Sequence, residues 1–155
     1  MPPDASPEPT APSGPVLGVS VCIIEDGRVL LVRRAKPPLR HQWAFPGGEV
    51  RFGELLVDAA AREVREETGL TVVIDRQIDR AEIRLDDEDT GVGKHFVIIV
   101  FAGRATAGDL RAGDDAADAR WFTPGDLADL TVTADTARIL ADTGFVPPSA
   151  HRPEE

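Results

Sequence analysis

Three acidic residues near the middle of the chain, Glu63, Glu66 and Glu67, stand at spacings of i, i+3 and i+4. On a helix these spacings place the three carboxylates on one face, within about a third of the circumference. Two like charges ~5 Å apart repel by roughly 3 kcal/mol at an effective dielectric of about 20. A hard divalent cation reverses this repulsion, because Mg²⁺ binds carboxylate oxygens. The spacing is therefore typical of either a solvated acidic helix face or a metal site.

A basic loop precedes the acidic segment. Arg33, Arg34, Lys36 and Arg40 place four fixed positive charges within eight residues of a chain whose formal net charge is −10. Such a cluster is either a solvated loop or a patch that faces an anion, and guanidinium groups bind phosphate well. His41 in the same loop is interpreted as a surface histidine. If the acids hold a metal, the cluster predicts additional contacts to a phosphate.

The elements that position these residues follow from hydrophobic patterning and turn signals. Strands are predicted over residues 16–24, 28–33, 43–46, 70–74, 78–85, 94–104 and 118–122, the first two joined by a hairpin turn at residues 25–27. A short helix from Pro124, capped by Thr123, and a last helix over residues 133–142, closed by Gly144, complete the chain. Strands outnumber helices and do not alternate with them, so we predict an α+β fold with a mixed sheet.

The acidic residues fall on a helix predicted from residue 54 or 55 to residue 68, with Gly69 as its C′ stop. Glu54 would lie in the first turn, where the helix dipole favours a carboxylate. Arg62 follows two turns later, so a direct contact with Glu54 would need a long reach. Its predicted role is to hold a catalytic carboxylate in place.

Length and composition limit the alternatives. With 155 residues the chain is predicted to form one domain over residues 16–146, between a disordered tail (1–15) and a flexible tail (147–155). The net charge of −10 argues against binding of a nucleic acid polymer or an acidic membrane. No apolar run approaches the length of a membrane span. Cys22 is the single cysteine, which predicts a buried inert thiol and fits a reducing cytoplasm.

One known family carries the same pattern. Gly48 is followed after five residues by Glu54 and after seven more by the run REVREETGL, residues 62–70. This run resembles the signature box of the Nudix hydrolases, and the flanking segments WAFPGG and GDDAADARWF are also similar to that family. The resemblance covers residues 16–140. It implies the Nudix fold, an α/β/α sandwich around a mixed central sheet, and hydrolysis of a nucleoside diphosphate linked to another moiety.

The resemblance also implies roles for individual residues. Glu63, Glu66 and Glu67 match the metal ligands, together with the carbonyl of Gly47, for Mg²⁺ or Mn²⁺. A further acid of the late loop, six residues before Trp121, would be Asp115, with Asp114 as the competing candidate. Glu66 or Glu67 would act as the general base, Arg62 would orient a carboxylate, and Gly48, Glu54 and Gly69 would be structural positions of the motif.

The substrate is less well specified than the chemistry. Arg33, Arg34, Lys36 and Arg40 are candidates for phosphate contacts, and Phe96, Trp43 and Trp121 are candidates for stacking on a base. The proline typical of the ADP-ribose subgroup is absent from residues 80–89, and the chain has no tyrosine, which is frequent in the dinucleoside polyphosphate subgroup. A nucleoside triphosphate or a nucleotide sugar such as ADP-ribose remains.

Two further expectations concern partners. The resemblance implies a small-molecule nucleotide as the ligand and a homodimer as a frequent state in the family. The alternative hypothesis is a non-catalytic Nudix-like module that senses a nucleotide. Such modules often lose acids of the box, and here all are present.

Overall fold

The computed structural model describes residues 14–37, 39–86 and 93–145. These residues form seven strands, two α-helices and one 3₁₀ helix. The strands are β1 (Val16–Glu25), β2 (Arg28–Arg34), β3 (Trp43–Ala44), β4 (Gly47–Glu49), β5 (Thr71–Leu85), β6 (Lys94–Ala107) and β7 (Ala116–Phe122). The helices are α1 (Leu56–Thr68) and α2 (Ala134–Asp142), with the 3₁₀ helix at Gly125–Asp129.

The seven strands form one mixed sheet in the order β3-β2-β1-β6-β5, with β4 paired to β1 and β7 paired to β2. The pair β1–β6 is parallel, from Val16↔Phe96 to Ile23↔Gly103, and the other pairs are antiparallel. The predicted hairpin between β1 and β2 is present, but it pairs only at Ile24↔Val29 and Glu25↔Arg28. The prediction of an α+β fold with a mixed sheet is confirmed.

The two faces of the sheet carry separate hydrophobic clusters, because successive strand residues point to opposite faces. On β1, Val19, Val21 and Ile23 pack with Ala59, Ala60 and Val64 of α1. Cys22 of the same strand packs on the other face, with Ile139 and Leu140 of α2. The sheet is therefore sandwiched between α1 and α2, and the burial of Cys22 raises the pKa of its thiol to about 12, as an inert thiol requires.

Several predicted boundaries need correction. The two strands predicted at residues 70–74 and 78–85 are one strand, β5, because register shifts near Ile74/Arg76 and Gln77/Asp79 absorb the irregular pattern while pairing with β6 continues. The strand predicted over residues 43–46 ends at Ala44, and Gly47 and Gly48 belong to strand β4 instead of a turn. Strand β6 lies inside the sheet, between β1 and β5.

The remaining predictions concern chain ends and one loop. The predicted tails, residues 1–15 and 147–155, lie outside the described residues apart from Gly14 and Pro15. The acidic loop at residues 86–93 is described only at its two ends. The described part of the chain includes no helix with the length and apolarity needed to cross a membrane.

Candidate active site

The three acids lie on α1, whose packing face determines where each carboxylate points. Ala59, Ala60 and Val64 are fully buried against the sheet, so residues on the flank of that face, Glu63 and Glu66, are half-buried. The helix ends at Gly69, which has φ 76° and donates its N–H to the carbonyl of Arg65 at 2.9 Å. A left-handed residue at this position favours glycine, which confirms the predicted stop.

Glu67 is the most buried of the three acids, with 7% of its surface exposed. Its Oε1 accepts a 2.7 Å hydrogen bond from the N–H of Gly47. Burial raises the pKa of this carboxyl to about 8, and the charges of Glu63 and Asp115 add to the effect, while the Gly47 N–H and Arg34 oppose it. A buried acid at the end of an acidic face excludes the interpretation of α1 as a merely solvated acidic surface.

Strand β4 approaches α1 closely at its two glycines. Gly48 and Gly47 of β4 pair with Val19 and Ser20 of β1. The neighbouring pair is joined by a hydrogen bond from the Val21 N–H to the Pro46 carbonyl. Because hydrogen-bonded and non-hydrogen-bonded pairs alternate in an antiparallel ladder, the N–H and C=O of Gly47 both face away from β1. A Cβ on Gly48 would lie 2.4 Å from the Glu63 carboxyl carbon. The glycines therefore let backbone groups reach the acids of α1, and the Gly47 carbonyl shares the side of its N–H.

Arg62 connects the acids of the motif through one guanidinium group. Its Nε and Nη2 donate to the two carboxylate oxygens of Glu54 at 2.8 and 2.9 Å, so the predicted long reach is made directly. Nη1 donates to Glu63 at 2.7 Å and to Glu66 at 3.1 Å, and Nη2 also reaches the Glu49 carbonyl. These contacts raise the pKa of Arg62 and lower the pKa of Glu54 to about 2.

Glu54 lies outside the helix, which corrects its predicted place in the first turn. The helix begins at Leu56 with Leu55 as its N-cap, and a turn brings Glu54 N–H to within 3.0 Å of the Arg51 carbonyl. The backbone N–H of Arg51 in turn donates to Glu54 at 3.1 Å. The position of Glu54 is thus set by a local turn and by Arg62, and the helix dipole is not needed to explain it.

The late loop between β6 and β7, residues 108–115, is tied to the end of α1. Arg111 and Gly113 donate their N–H groups to the carbonyls of Thr68 and Glu67 at 2.9 and 3.1 Å. The Asp115 carbonyl accepts from the Ala35 N–H at 3.0 Å. The loop therefore brings two acids beside the helix. Burial is the main cause of the raised pKa values of Glu63 and Glu67, and the charges of Asp114 and Asp115 add to it at Glu63 and Glu67 respectively.

Strand alternation separates the basic residues that the sequence groups together. Arg34 lies on the α1 side of the sheet, because Leu30, four residues earlier on β2, packs in the cluster with α1. Arg33, the residue before it, is paired with Trp43, which packs in the cluster on the α2 side, so Arg33 lies on the opposite face. Its buried Nε has no hydrogen-bond partner among the described residues. Arg40 is exposed in the loop that follows, and among the described residues no hydrogen bond or ion pair joins it to the acids.

The three aromatic candidates occupy different environments. Trp43 is 8% exposed and packs edge-on against Phe122, with ring centroids 4.8 Å apart, so it belongs to the core on the α2 side. Trp121 is partly buried against the cluster on the α1 side. Phe96 is partly buried at the start of β6, opposite Val16 and Ile83. The stacking role predicted for Trp43 is therefore not available to its buried ring.

Two cations that the spacing of the motif does not reveal contact the acids. Arg51 Nη2 lies 3.6 Å from Glu66 Oε1, and Lys36 Nζ lies 2.7 Å from Asp115 Oδ1. Lys36 was grouped with the basic loop as a phosphate contact, and its ion pair with Asp115 is a tertiary contact between two loops. Arg51 occupies one of the unspecified positions between Gly48 and Glu54, so no sequence signal identified it.

The donors at this site suit a hard divalent cation in their chemistry, since they are carboxylate oxygens and a backbone carbonyl. Burial raises the pKa of Glu67, and a divalent cation beside this carboxyl would favour its charged form. The carboxylates are engaged with Arg62, Arg51 and Lys36 instead of converging. In the ranges that the structure covers, no three His, Cys, Asp or Glu side chains meet closely enough to hold a metal as they stand.

A family model and several known proteins match this chain over most of its length. A family model described as the NUDIX domain matches residues 14–143. An ADP-ribose pyrophosphatase of Methanocaldococcus jannaschii is 34% identical over 128 residues, which are 83% of this chain and 72% of that protein. A MutT-like protein of Streptomyces ambofaciens is 32% identical over 137 residues, 84% of this chain and 79% of that protein.

A solved structure agrees with these relatives. The crystal structure of a MutT NUDIX hydrolase from Burkholderia pseudomallei superimposes with a TM-score of 0.67 at 29% identity. The alignment covers 83% of this chain and 97% of that chain. The sandwich of two helices around a mixed sheet is thus shared by a protein with detectable sequence similarity.

Proposed function

This chain belongs to the Nudix hydrolase family, and from that membership we propose that it hydrolyses the pyrophosphate bond of a nucleoside diphosphate linked to another moiety. Relatives named as pyrophosphatases and diphosphatases identify it as a Nudix pyrophosphohydrolase. Enzymes of this family use divalent metals, and we propose Mg²⁺ or Mn²⁺ for this chain. The substrate class is a nucleoside triphosphate or a nucleotide sugar, for which ADP-ribose is supported by the relative from M. jannaschii.

The single observation that carries the proposal is the burial of Glu67 beneath the Gly47 N–H, next to a guanidinium that binds Glu63 and Glu66. A solvated helix face would leave all three carboxylates in water, where repulsion is weak. Here Glu67 is buried, and Glu63 and Glu66 are held by one guanidinium group. Clusters of titratable groups with perturbed pKa values are typical of functional sites.

We propose that the cation is held by the carboxylates of Glu63, Glu66, Glu67 and Asp115 and by the carbonyl of Gly47. When bound there, a divalent cation neutralises phosphate oxygens and activates water for in-line attack on phosphorus. Lining the site with acids alone would repel a diphosphate, so the cation also makes substrate binding electrostatically favourable.

The protein's own groups then divide the remaining tasks. Arg62 holds Glu63 and Glu66 in place while Glu54 holds Arg62. We assign proton abstraction to Glu66, because its side chain is 33% exposed and can meet a water, whereas Glu67 is enclosed. Arg34, on the α1 side of the sheet, is the candidate for a direct phosphate contact.

Charge and cysteine content indicate the ligand class and the cellular setting. A free nucleotide is favoured over a nucleic acid polymer because the net charge of −10 repels a polyanion. A single buried thiol, Cys22, suits the cytoplasm. A homodimer stays a prediction from the family resemblance.

The test is a substrate screen with Mg²⁺ or Mn²⁺, using ADP-ribose, the nucleoside triphosphates and NADH, with release of phosphate, pyrophosphate or a nucleoside monophosphate as the readout. A Glu67→Gln variant keeps an oxygen acceptor for the Gly47 N–H and should lose at least ~100-fold in turnover. Glu82→Gln is the matched control, because Glu82 is exposed on the edge strand β5.

Retention of nucleotide binding by Glu67→Gln without turnover would support catalysis at these acids. A wild-type protein that binds a nucleotide tightly and hydrolyses none of the panel would instead favour the sensing module. Equal activity in the Glu67→Gln variant and the wild type would contradict the proposed site.

A further inference from the structure

Lys36 and Asp115 form an ion pair between two loops beside the acids of α1. Lys36 Nζ lies 2.7 Å from Asp115 Oδ1, and the two side chains are 70% and 64% exposed. An exposed pair of this kind contributes little to stability. The ion pair is therefore of interest for the effect of its two charges on the neighbouring acids of α1.

The backbone places these residues together independently of their side chains. The Ala35 N–H donates to the Asp115 carbonyl at 3.0 Å, and Arg34 pairs with Ala116 where β2 meets β7. The backbone contacts of Arg34 and Ala35 with Ala116 and Asp115 therefore place Lys36 next to Asp115. The ammonium of Lys36 is held beside the late loop, and Asp115 and Asp114 both raise its pKa.

Asp115 follows two residues after Gly113, whose N–H donates to the Glu67 carbonyl at 3.1 Å, so the late loop lies against the end of α1. It is also the acid that the late loop offers as a further ligand for the cation. Lys36 therefore neutralises a carboxylate that a divalent cation would need. A divalent cation that binds Asp115 must displace the ammonium group of Lys36. The displaced ammonium then lies at the edge of the site proposed to bind a diphosphate.

We propose that Lys36 is an exchangeable counter-ion, which holds Asp115 in the metal-free protein and is transferred to a substrate phosphate when the divalent cation takes Asp115. This inference rests on the proposed function of the site. It makes Lys36 a positioning residue for the metal ligand and a binding residue for the substrate. The two roles have opposite consequences when the charge is removed.

Lys36→Gln should therefore bind Mn²⁺ more tightly in the absence of substrate, because a competing cation has been removed. Coulomb's law for a divalent and a univalent cation several ångströms apart predicts roughly 3- to 10-fold. The same variant should raise KM for the diphosphate substrate about 10-fold with a smaller change in kcat, because a contact to phosphate is lost. Lys36→Arg should restore both values toward those of the wild type.

The measurement is titration of the metal-free full chain with Mn²⁺, by calorimetry or by the electron paramagnetic resonance of free Mn²⁺, together with steady-state kinetics. In an Asp115→Asn background, Lys36→Gln should no longer tighten Mn²⁺ binding, because the exchange acts through Asp115. Arg104→Gln is the control of equal charge change, since Arg104 is paired with Asp75 at 3.6 Å and lies on the face opposite α1.

Unchanged or weaker Mn²⁺ binding in Lys36→Gln would overturn the exchange. So would the same tightening in Arg104→Gln or in the Asp115→Asn background. An unchanged KM would overturn the transfer to substrate. If the wild type hydrolysed nothing in the panel, the proposed function would fail, yet the Mn²⁺ titrations would still decide whether Lys36 and a cation compete for Asp115.

Discussion

Arg62 forms a bidentate ion pair with the carboxylate of Glu54, donating from Nε at 2.8 Å and from Nη2 at 2.9 Å. Both side chains are largely enclosed, at 18% and 17% exposure. The third donor of the same guanidinium, Nη1, contacts Glu63 and Glu66. Glu54 therefore orients the two proposed ligands without touching them, through a planar group whose geometry allows no independent movement of its nitrogens.

Replacing Arg62 by Lys tests this arrangement. An ammonium keeps the charge, but it cannot bind Glu54 in bidentate fashion and reach two further carboxylates. We expect Arg62→Lys to lower both Mn²⁺ affinity and kcat/KM by roughly 10- to 100-fold, the usual cost of losing a group that orients ligands. Calorimetry on the metal-free protein and steady-state kinetics measure the two quantities.

Arg65→Lys provides the control for this prediction, because Arg65 is exposed on the same helix and is one turn away from the network. It should behave as the wild type in both assays. Equal losses of Mn²⁺ affinity and kcat/KM in the two variants would show that activity depends on the charge or stability of α1. The bidentate contact between Arg62 and Glu54 would then have no specific role.

The features of the site that are local in sequence were predictable. The spacing of Glu63, Glu66 and Glu67 is a property of any helix, and the left-handed Gly69 ends α1 where the motif predicts. The apolar, β-branched run over residues 16–24 also predicted β1. These predictions succeed because they depend on residues within one or two turns of each other.

Features that depend on tertiary pairing could not be predicted from spacing. Arg62 reaches Glu54 because a turn at residues 51–54 precedes the helix, and no pattern fixes that turn. The separation of Arg33 from Arg34 across the sheet requires the alternation along β2 to be combined with its pairing to β3 and β7. The continuity of β5 through three register shifts is decided by its long pairing with β6.

The two glycines of β4 should respond differently to a methyl group. A Cβ on Gly48 would meet the Glu63 carboxylate at 2.4 Å, the mobile end of a side chain, whereas a Cβ on Gly47 would meet the backbone carbonyl of Val19 at 2.1 Å. We expect Gly48→Ala to displace Glu63 and weaken Mn²⁺ binding at least 10-fold while stability changes little. Gly47→Ala should destabilise the fold by about 1–3 kcal/mol or more, as overpacking does.

Urea denaturation with excess chelator and Mn²⁺ titration separate these outcomes. Gly53→Ala is unsuitable as a control because of its positive φ of 83°, so the exposed Asp58→Ala on α1 serves instead. If Gly48→Ala and Gly47→Ala lost stability equally, the backbone around Gly48 would be as constrained as that around Gly47, contrary to this argument.

The thiol of Cys22 should be unreactive in the folded protein. It is 4% exposed, and burial raises its pKa to about 12, so the nucleophilic thiolate is scarce at neutral pH. A chromogenic disulfide reagent should label the native chain orders of magnitude more slowly than the chain in guanidinium chloride. Rapid labelling without denaturant would mean that the sheet opens on the α2 side far more easily than its packing indicates.

The pH dependence of stability should reveal the buried carboxyl of Glu67. Its pKa in the folded chain is about 8, against an ordinary value of 4.5, so between these values the folded chain keeps a proton that the unfolded chain has released. The free energy of unfolding therefore falls as pH rises. The contribution of Glu67 is fully present below its ordinary pKa and is lost by the time pH has passed through 8.

The measurement is urea denaturation of the metal-free protein between pH 5.5 and 8.5, with chelator present. The wild type should lose stability on the order of a few kcal/mol relative to Glu67→Gln over this range, because the amide cannot titrate. Starting at pH 5.5 avoids the window of Glu54, whose lowered pKa gives stability that is lost only as pH falls below its ordinary range.

A divalent cation should reverse the effect, since it favours the charged carboxylate that burial disfavours. Saturating Mg²⁺ should raise the melting temperature of the wild type more at pH 8 than at pH 6, because at the lower pH a proton must first leave Glu67. The control variant Glu82→Gln should behave in the same way. Mn²⁺ binding at pH 7, measured by calorimetry in two buffers of different ionisation enthalpy, should release close to one proton in the wild type and fewer in Glu67→Gln. Parallel pH profiles of wild type and Glu67→Gln, with equal proton release, would place the titrating group elsewhere.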